Sequence, residues 1–359
     1  PWISQEMSTG YPNAETGHPT RSYQLIHQNP YSLIGYEAYD WADPKGFLNT
    51  QSFITGELAE TLRRTNEQAS GIMHFAYMTW FRQCYDYRHI QPYPTYYAMQ
   101  RAMQPVLVSA ELWGRNLYAG EKLHTRIYVV NDNEEGRDLK PMSLIWSIVD
   151  ETDKVLASGT EQFPAVEYYG RKYIEPNIHM PSNLPADKVN AKLKLTLTEN
   201  GVTLSKNEYG LLLARKEWNI GQVAENKKIL LLDKDNMKAT LDFLNIACQT
   251  VPSIKELLNS KQKANLCILS GLKECTDEEA KLLREYQAKG GRLLLLNSKE
   301  AAQKIYPEYI TGWIIPTEGD IVVMEHDDAS VFDGIGVLEL RYFNNNKREI
   351  PLACTATLK

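Results

Sequence analysis

Residues 95–112, TYYAMQRAMQPVLVSAEL, change their period in the middle. Up to Met103 the stretch reads as a helix. Pro105 cannot continue it, because proline has no N–H to give and crowds the residue before it. From Val106 the apolar side chains alternate, Val106 then Val108, as on a strand. From Pro105 the pattern of the chain changes, which makes this a candidate domain boundary. At roughly 100–200 residues per domain, the 359 residues allow two or three domains.

Upstream of this junction the chain is dense in aromatic residues, from Tyr31 to Tyr97. Trp2–Met7 reads as a strand. Thr50–Thr65 has helical spacing, with Phe53, Ile54, Leu58 and Leu62 on one face. Gly71–Phe81 (GIMHFAYMTWF) is a compact apolar run that reads as a buried strand of a parallel sheet. Thr95–Met103 closes a β/α alternation. Downstream, short alternating segments follow: Leu123–Val130, Ser143–Val149, Val155–Ser158, Tyr173–Ile178, Lys192–Leu197 and Gly210–Trp218. Turn signals separate them, at Tyr118-Ala119-Gly120, Asn131-Asp132-Asn133, Asp150-Glu151-Thr152-Asp153 and Glu199-Asn200-Gly201. Seven or so such strands predict an antiparallel β-sandwich.

Asn219–Asn226 is a polar linker. Beyond it, Lys228–Leu232 (KILLL), Leu266–Leu269 and Arg292–Leu296 (RLLLL) read as buried strands, with Ile321–Met324 as a fourth. Met237–Ala247 and Thr276–Ala288 are the helices between them. The second opens on Thr-Asp-Glu-Glu, a capping pattern, and stops at Gly290-Gly291. This is the pattern of an α/β domain with a mainly parallel sheet.

Apolar content of 43%, charged content of 23% and a net charge of −6 are those of an ordinary globular chain. No basic patch stands out, which argues against nucleic acid as a partner. No run of about 18 apolar residues occurs, so no membrane-spanning helix is expected. The five cysteines (Cys84, Cys248, Cys267, Cys275 and Cys354) form no CxxC pair, so neither a zinc site nor a disulfide framework is indicated, and no cofactor is expected. Pro1–Glu6 has no basic start followed by an apolar segment, as a signal peptide would, and no initiator Met.

Glu6 is the candidate catalytic residue. It stands near the end of an apolar strand, before the turn-rich Met7-Ser8-Thr9-Gly10-Tyr11-Pro12, and barrel enzymes place catalytic groups at the C-terminal ends of their strands. Aromatic rings that could take the apolar face of a sugar are Phe75, Trp80 and Trp41. Tyr11, His18 and Arg21 could reach hydroxyl groups, and Glu37 is a rival carboxylate in Gly35–Trp41.

Residues Ala69–Ser109, above all Tyr96–Ser109, resemble the end of the catalytic barrel in glycoside hydrolase family 2, in its β-mannosidase, exo-glucosaminidase-like and β-galactosidase members. Gly56–Asn66 (GELAETLRRTN) resembles the helix before the last barrel strand, and Ser4-Gln5-Glu6-Met7 is a loose match to the nucleophile motif, with Gln5 inserted. The resemblance implies a retaining exo-β-glycosidase with Glu6 as nucleophile. The family's acid/base is the Glu of an Asn-Glu pair on an earlier strand. The pairs present here, Asn66-Glu67, Asn133-Glu134 and Asn207-Glu208, fall in the wrong elements. By the same resemblance, Phe75 stands where the family has a sugar-platform Trp, and glycan-degrading relatives are often exported, to the periplasm or outside the cell. Leu283–Leu293 and Phe332–Gly336 resemble the amidotransferase-like, flavodoxin-like module appended to some β-galactosidases. Cys267 lies inside a strand rather than in an elbow, so a scaffold or oligomerisation role is expected there.

The expected architecture is therefore multidomain. Residues 1–104 form the end of a (β/α)8 barrel, 105–218 an immunoglobulin-like β-sandwich and 227–359 an α/β amidotransferase-like domain that could be incomplete at its C-terminus. A closed barrel needs about 250 residues and eight strands, so the chain is expected to be a fragment, inactive alone. Its partners would be a carbohydrate substrate, the upstream part of the same polypeptide and a homo-oligomeric copy. The alternative is a non-catalytic carbohydrate-binding or assembly module of a glycosidase-like protein; a third option is an endo-acting polysaccharidase.

Overall fold

The computed structural model describes residues 2–7, 10–19, 38, 42–65, 69–74, 77–219, 227–259, 264–310, 334–336, 339–340 and 342, with the backbone alone at 2, 4–7, 69–70, 77–78 and 218–219. The chain is mixed α/β with several sheets and divides into two compact units. The first is Pro1–Arg215 with Gly319–Ala353; the second is Lys216–Glu318 with Cys354–Lys359.

In the first unit β1 (Trp2–Met7) and β2 (Ala69–His74) pair in parallel, Trp2 opposite Ala69 and Met7 opposite His74. A parallel pair needs a long crossover, and helix α1 (Lys45–Thr65) lies within it. The run after Gly71 is not one strand to Phe81. It breaks at His74, and Tyr77–Trp80 forms a 3₁₀ turn that folds Trp80 back onto His74. β3 (Phe81–Arg82) and β4 (Gln91–Pro92) then form a short antiparallel pair, and helix α2 (Pro94–Ala102) follows with proline in its first turn. Small residues let α1 and α2 approach closely. A Cβ on Gly56 would stand 3.3 Å from that of Ala98, and Ala59, Met99 and Ala102 form the contact core, with Leu62, Ile72 and Trp80 packed on it.

The junction at Pro105 leads into two sheets that face each other. One holds β5 (Val106–Glu111), β8 (Arg126–Asn131) and β11 (Arg171–Ile174), in the order β11-β8-β5. The other includes β6 (Asn116–Tyr118), β9 (Met142–Asp150), β10 (Val155–Phe163), β13 (Lys188–Glu199) and β14 (Val202–Ala214), in the order β10-β9-β13-β14-β6. A separate two-stranded ladder joins β7 (Lys122–Leu123) to β12 (Ile178–His179). Pairing is antiparallel except between β6 and β14, which run parallel. β6 escapes a reading by alternation because it has three residues. Inward side chains of both sheets share one core, including Val108, Ile127, Leu144, Ile148, Leu193, Leu195 and Leu211. A fully buried aliphatic side chain of this kind contributes about 2 kcal/mol. The β13–β14 hairpin turns at Asn200-Gly201, both at positive φ, as a two-residue hairpin turn requires.

What holds α1 onto this unit is polar. The sequence pattern puts Leu58 on the buried face, but Leu58 is 41% exposed, whereas Glu60 and Arg64 are buried at 5% and 6%. Hydrogen bonds turn the helix that way. Glu60 Oε2 accepts from Ser109 Oγ at 2.5 Å and Tyr209 OH at 2.6 Å, and Oε1 accepts from Asn207 Nδ2 at 2.8 Å. Arg64 donates to Ser109 Oγ (2.7 Å) and to the Ala110 carbonyl (3.2 Å), with its guanidinium 3.5 Å from Glu60. One turn away, Arg115 binds Glu57 at 2.7 Å, and Arg63 donates to the Ala102 and Gln104 carbonyls and to Asp132. The arginines at the C-terminal end of α1 also complement its macrodipole.

The second unit is a four-stranded parallel sheet. Its strands are β15 (Ile229–Asp233), β16 (Gln249–Thr250), β17 (Leu266–Ser270) and β18 (Leu293–Leu296), in the order β16-β15-β17-β18. β16 takes an edge, and the expected strand Ile321–Met324 lies outside the described residues. Alternate residues of β15 and β17 feed two cores. Leu230, Leu232, Cys267 and Leu269 pack against α4 (Ile254–Asn259), α5 (Asp277–Ala288) and α6 (Lys299–Ile305). Ile229, Leu231 and Ile268 pack against Leu241 of α3 (Met237–Phe243) on the opposite face. Burial on both faces is why these strands read as unbroken apolar runs. α3 is shorter than its pattern predicts, stopping before Asn245 at φ 57°. α5 carries the expected capping box between Thr276 and Glu279.

Burial is the main cause that raises the Glu60 carboxyl above its ordinary pKa; the charge of Glu57 adds to it, and bonds from Ser109, Tyr209 and Asn207 oppose it. A carboxyl whose folded pKa is raised adds stability at low pH that is withdrawn as pH climbs through that value. In urea unfolding of the 359-residue chain, Glu60→Ala should cost about 3 kcal/mol by stranding its donors. Glu60→Gln should lose ground to the wild type as pH falls from neutral toward the ordinary carboxylate range.

Candidate functional site

Parallel pairing gathers the C-terminal ends of β1 and β2 on one edge. Met7 stands opposite His74, so Glu6 sits one residue from that end of β1. The loops that follow the two strands are stitched to each other. Gln83 N donates to the Ala14 carbonyl (2.6 Å), Arg82 Nε to the Glu15 carbonyl (2.6 Å) and Tyr93 OH to the Asn13 carbonyl (2.9 Å). Burial pushes the Tyr93 hydroxyl up to about 12, so it remains a donor. The first loop holds its own shape through Asn13, whose Oδ1 accepts from the N–H groups of Glu15 and Thr16, and through Gly17 at φ 80°.

His74 is the polar residue at the end of β2. Trp80 Nε1 donates to its Nδ1 at 2.8 Å, and the two rings meet edge-on with centroids 5.3 Å apart. An indole N–H can only donate, so Nδ1 is the acceptor and a neutral His74 carries its proton on Nε2. Among the described residues, Nε2 is buried and has no hydrogen-bond partner. Burial lowers the His74 pKa to about 4, which keeps the ring neutral and its Nε2–H in place at neutral pH. The edge of the parallel pair thus holds one fixed neutral donor beside the strand that carries Glu6.

Of the candidates from the sequence, Glu6 is placed by its backbone only, on β1. Phe75, Trp41, Glu37 and Arg21 lie outside the described residues. Tyr11 is buried at 7% exposure, in the loop after β1. His18 is half-buried in the same loop, its carbonyl accepting from Asn13 N. Trp80 is half-buried, with its ring packed on the α1–α2 core and its N–H committed to His74. Asn207 lies in β14, where its amide holds Glu60, and Asn133 lies in a turn after β8; Asn66-Glu67 is outside the described residues. His74 escaped the sequence reading because it stands inside an apolar run. A histidine there breaks the pattern, and that was the available signal.

Other titratable groups do different work. Cys267 is buried in β17 with Sγ 3.4 Å from Tyr286 OH, and burial raises its pKa, the opposite of what a nucleophilic thiol needs. Burial likewise raises Cys275. Asp233, at the end of β15, accepts from the N–H groups of Met237 and Lys238 at 2.9 and 2.8 Å. Burial works against its charge, but those backbone donors hold the carboxyl below its usual range. The start of α3 is thus occupied by the chain's own carboxylate. Among the described residues, no group of three His, Cys, Asp or Glu side chains could hold a metal ion, and no helix is long and apolar enough to cross a membrane.

No protein-family model matches the chain, and no curated protein matches it. Its structural neighbours include glycoside hydrolases. The exo-chitosanase CsxA of Amycolatopsis orientalis shares 15% identity over 51% of this chain and 21% of its own, with a TM-score of 0.35. A β-glucuronidase from glycoside hydrolase family 2 shares 11% over 58% and 23%, with a TM-score of 0.22. The sporulation control protein Spo0M of Bacillus subtilis shares 15% over 32% and 51%, with a TM-score of 0.20. This chain therefore spans about a fifth of the length of the exo-chitosanase. With every TM-score here below 0.5, no residue role follows from these similarities.

A histidine held neutral by burial contributes stability above its ordinary pKa that is lost as pH falls toward its folded value. Between pH 6.5 and about 4 this should cost up to about 3 kcal/mol. The His74→Gln variant should show a flatter pH dependence of unfolding across that window. A ring that titrates near 6.5 by NMR would contradict the buried neutral donor.

Proposed function

We propose that this chain is the C-terminal part of a retaining exo-β-glycosidase that hydrolyses terminal β-linked sugars, of the β-galactoside or β-mannoside class, during oligosaccharide or polysaccharide breakdown. The observation that carries the reading is the parallel register of β1 and β2. It puts the strand that bears Glu6 beside His74 and Trp80, on the strand edge where barrel enzymes do their chemistry. The family 2 resemblance of Tyr96–Ser109 and Gly56–Asn66 supports it from the sequence. Residues 1–104 are the end of the barrel, 105–218 the sandwich and 227–359 an α/β module with a scaffold or assembly role.

In this reading Glu6 attacks the anomeric carbon and forms a covalent glycosyl-enzyme. The leaving-group oxygen takes a proton from a carboxylic acid on the upstream part of the polypeptide. The same carboxylate then deprotonates the water that releases the sugar. A retaining pair of this kind stands about 5–5.5 Å apart. His74 Nε2–H supplies a neutral donor for an oxygen of the bound substrate or of its carboxylate partner. Phe75, Trp80, Trp41, Tyr11 and Glu37 are the proposed sugar contacts, and no cofactor takes part. The chemistry needs the upstream residues, and the resemblance to exported glycosidases suggests a periplasmic or extracellular setting.

In the complete enzyme, Glu6→Gln should lower kcat for an aryl β-glycoside by about 10³-fold or more without changing the unfolding midpoint. Near-full activity in that variant would remove Glu6 from the mechanism.

A further inference from the structure

We propose that the outer face of the five-stranded sheet carries a second pocket, sharing no residue with the β1–β2 edge, that binds one neutral sugar unit. The proposal goes beyond hydrolysis and does not require it. A cavity of about 360 Å³ opens there, within the range of small-molecule sites. Its walls include Phe53 of α1, Arg115 and Tyr342, and its floor is formed by β13 and β14. Val189, Ala191, Leu193 and Leu211 face the core, so Asn190, Lys192 and Gly210 face outward. Gly210 pairs across the strands with Lys192, and a Cβ there would meet no atom within 4 Å. The floor is open because that position has no side chain.

Charge decides what the pocket can hold. The Arg115 guanidinium is already paired with Glu57 at 2.7 Å, and Lys192 with Glu208 at 3.2 Å. Burial is the largest influence on the Arg115 pKa and works to lower it, but the charge and hydrogen bond of Glu57, with Tyr342 and Tyr209, together raise it, so the guanidinium stays charged. Both cations already have a carboxylate partner, and Glu151 adds a negative group to the wall. A phosphate or carboxylate ligand would find no spare positive charge. What remains suits hydroxyl groups, which donate and accept. Among the described residues, Arg115 Nε–H is buried with no hydrogen-bond partner, an unmet donor that costs about 1–3 kcal/mol. Asn190 gives its Nδ2 to Glu151 at 2.8 Å, which leaves its amide oxygen to accept. Phe53 and Tyr342, with ring centroids 5.6 Å apart, supply apolar surface. A ligand with an apolar ring face and a rim of uncharged hydroxyls matches this wall.

The test uses the 359-residue chain and saturation-transfer NMR with glucose, galactose, mannose and N-acetylglucosamine, each at about 10 mM, beside adenosine and inorganic phosphate. At least one sugar should bind with a Kd of millimolar order, while phosphate does not bind. Gly210→Phe and Gly210→Val fill the floor and leave every polar residue of the pocket in place. A sugar's affinity should fall tenfold or more in whichever of them keeps the wild-type unfolding midpoint. A sugar bound at the proposed hydrolytic site instead would keep its affinity in both Gly210 variants, which separates the two sites. Absence of sugar binding, preference for adenosine or phosphate, or unchanged affinity in a folded Gly210 variant would overturn the proposal.

Discussion

A carboxylate taken out of water must be met by donors, and Glu60 is met by three: the hydroxyls of Ser109 and Tyr209 and the amide of Asn207. Those donors come from β5 and β14, so one helix side chain ties α1 to both facing sheets. Arg64 fills the same buried space and shares Ser109. An apolar contact could let the helix slide by part of a turn at small cost. A satisfied network of this kind cannot, because each lost bond leaves a buried polar group bare. α1 in turn carries the α2 contact through Gly56, Ala59 and Ala102, and Ile72 of β2 and Trp80 pack on that contact. The β1–β2 edge therefore inherits its position from a carboxyl group buried well away from it.

Physical periodicity explains which parts were legible in the sequence. β13 alternates strictly between core and solvent, so it could be read from its pattern, and the Asn200-Gly201 turn announced the hairpin. The leucine runs of β15 and β18 marked strands of the parallel sheet. β6 and β16 are too short to show a period. The C-terminal end of α1 was legible, but its start at Lys45 and its orientation were not, since the pattern puts Leu58 on the buried face where Glu60 and Arg64 stand. The Glu60 partners Ser109 and Asn207 stand 49 and 147 positions away, and nothing local distinguishes a buried glutamate from a solvated one. The site was legible in the same uneven way. Glu6 could be nominated from its strand, whereas His74 was hidden in a run of apolar neighbours that ends where the sequence pattern does not.

The arginines of the first unit illustrate how one residue type serves two ends. Arg63 and Arg64 are consumed in fixing the helix, through carbonyls, Asp132 and Ser109. Arg115 is equally buried and paired, yet its guanidinium also lies over Phe53, Tyr209 and Tyr342, at 4.9, 5.7 and 5.7 Å from their centroids. That stacking desolvates the cation and builds the wall of the second pocket. A structural ion pair and a binding surface thus share one side chain, and the pairing with Glu57 decides that the surface is neutral.

The functional account turns on a covalent bond at one residue. Incubating the complete enzyme with a 2-deoxy-2-fluoro-β-glycoside slows release of the glycosyl-enzyme by weakening the interactions at the 2-position that favour the transition state. Peptide mass spectrometry should then find one added fluorosugar, on the peptide that contains Glu6 and on its side chain. A label on a different carboxylate, or turnover with no trapped adduct, would contradict the assignment of Glu6 as nucleophile.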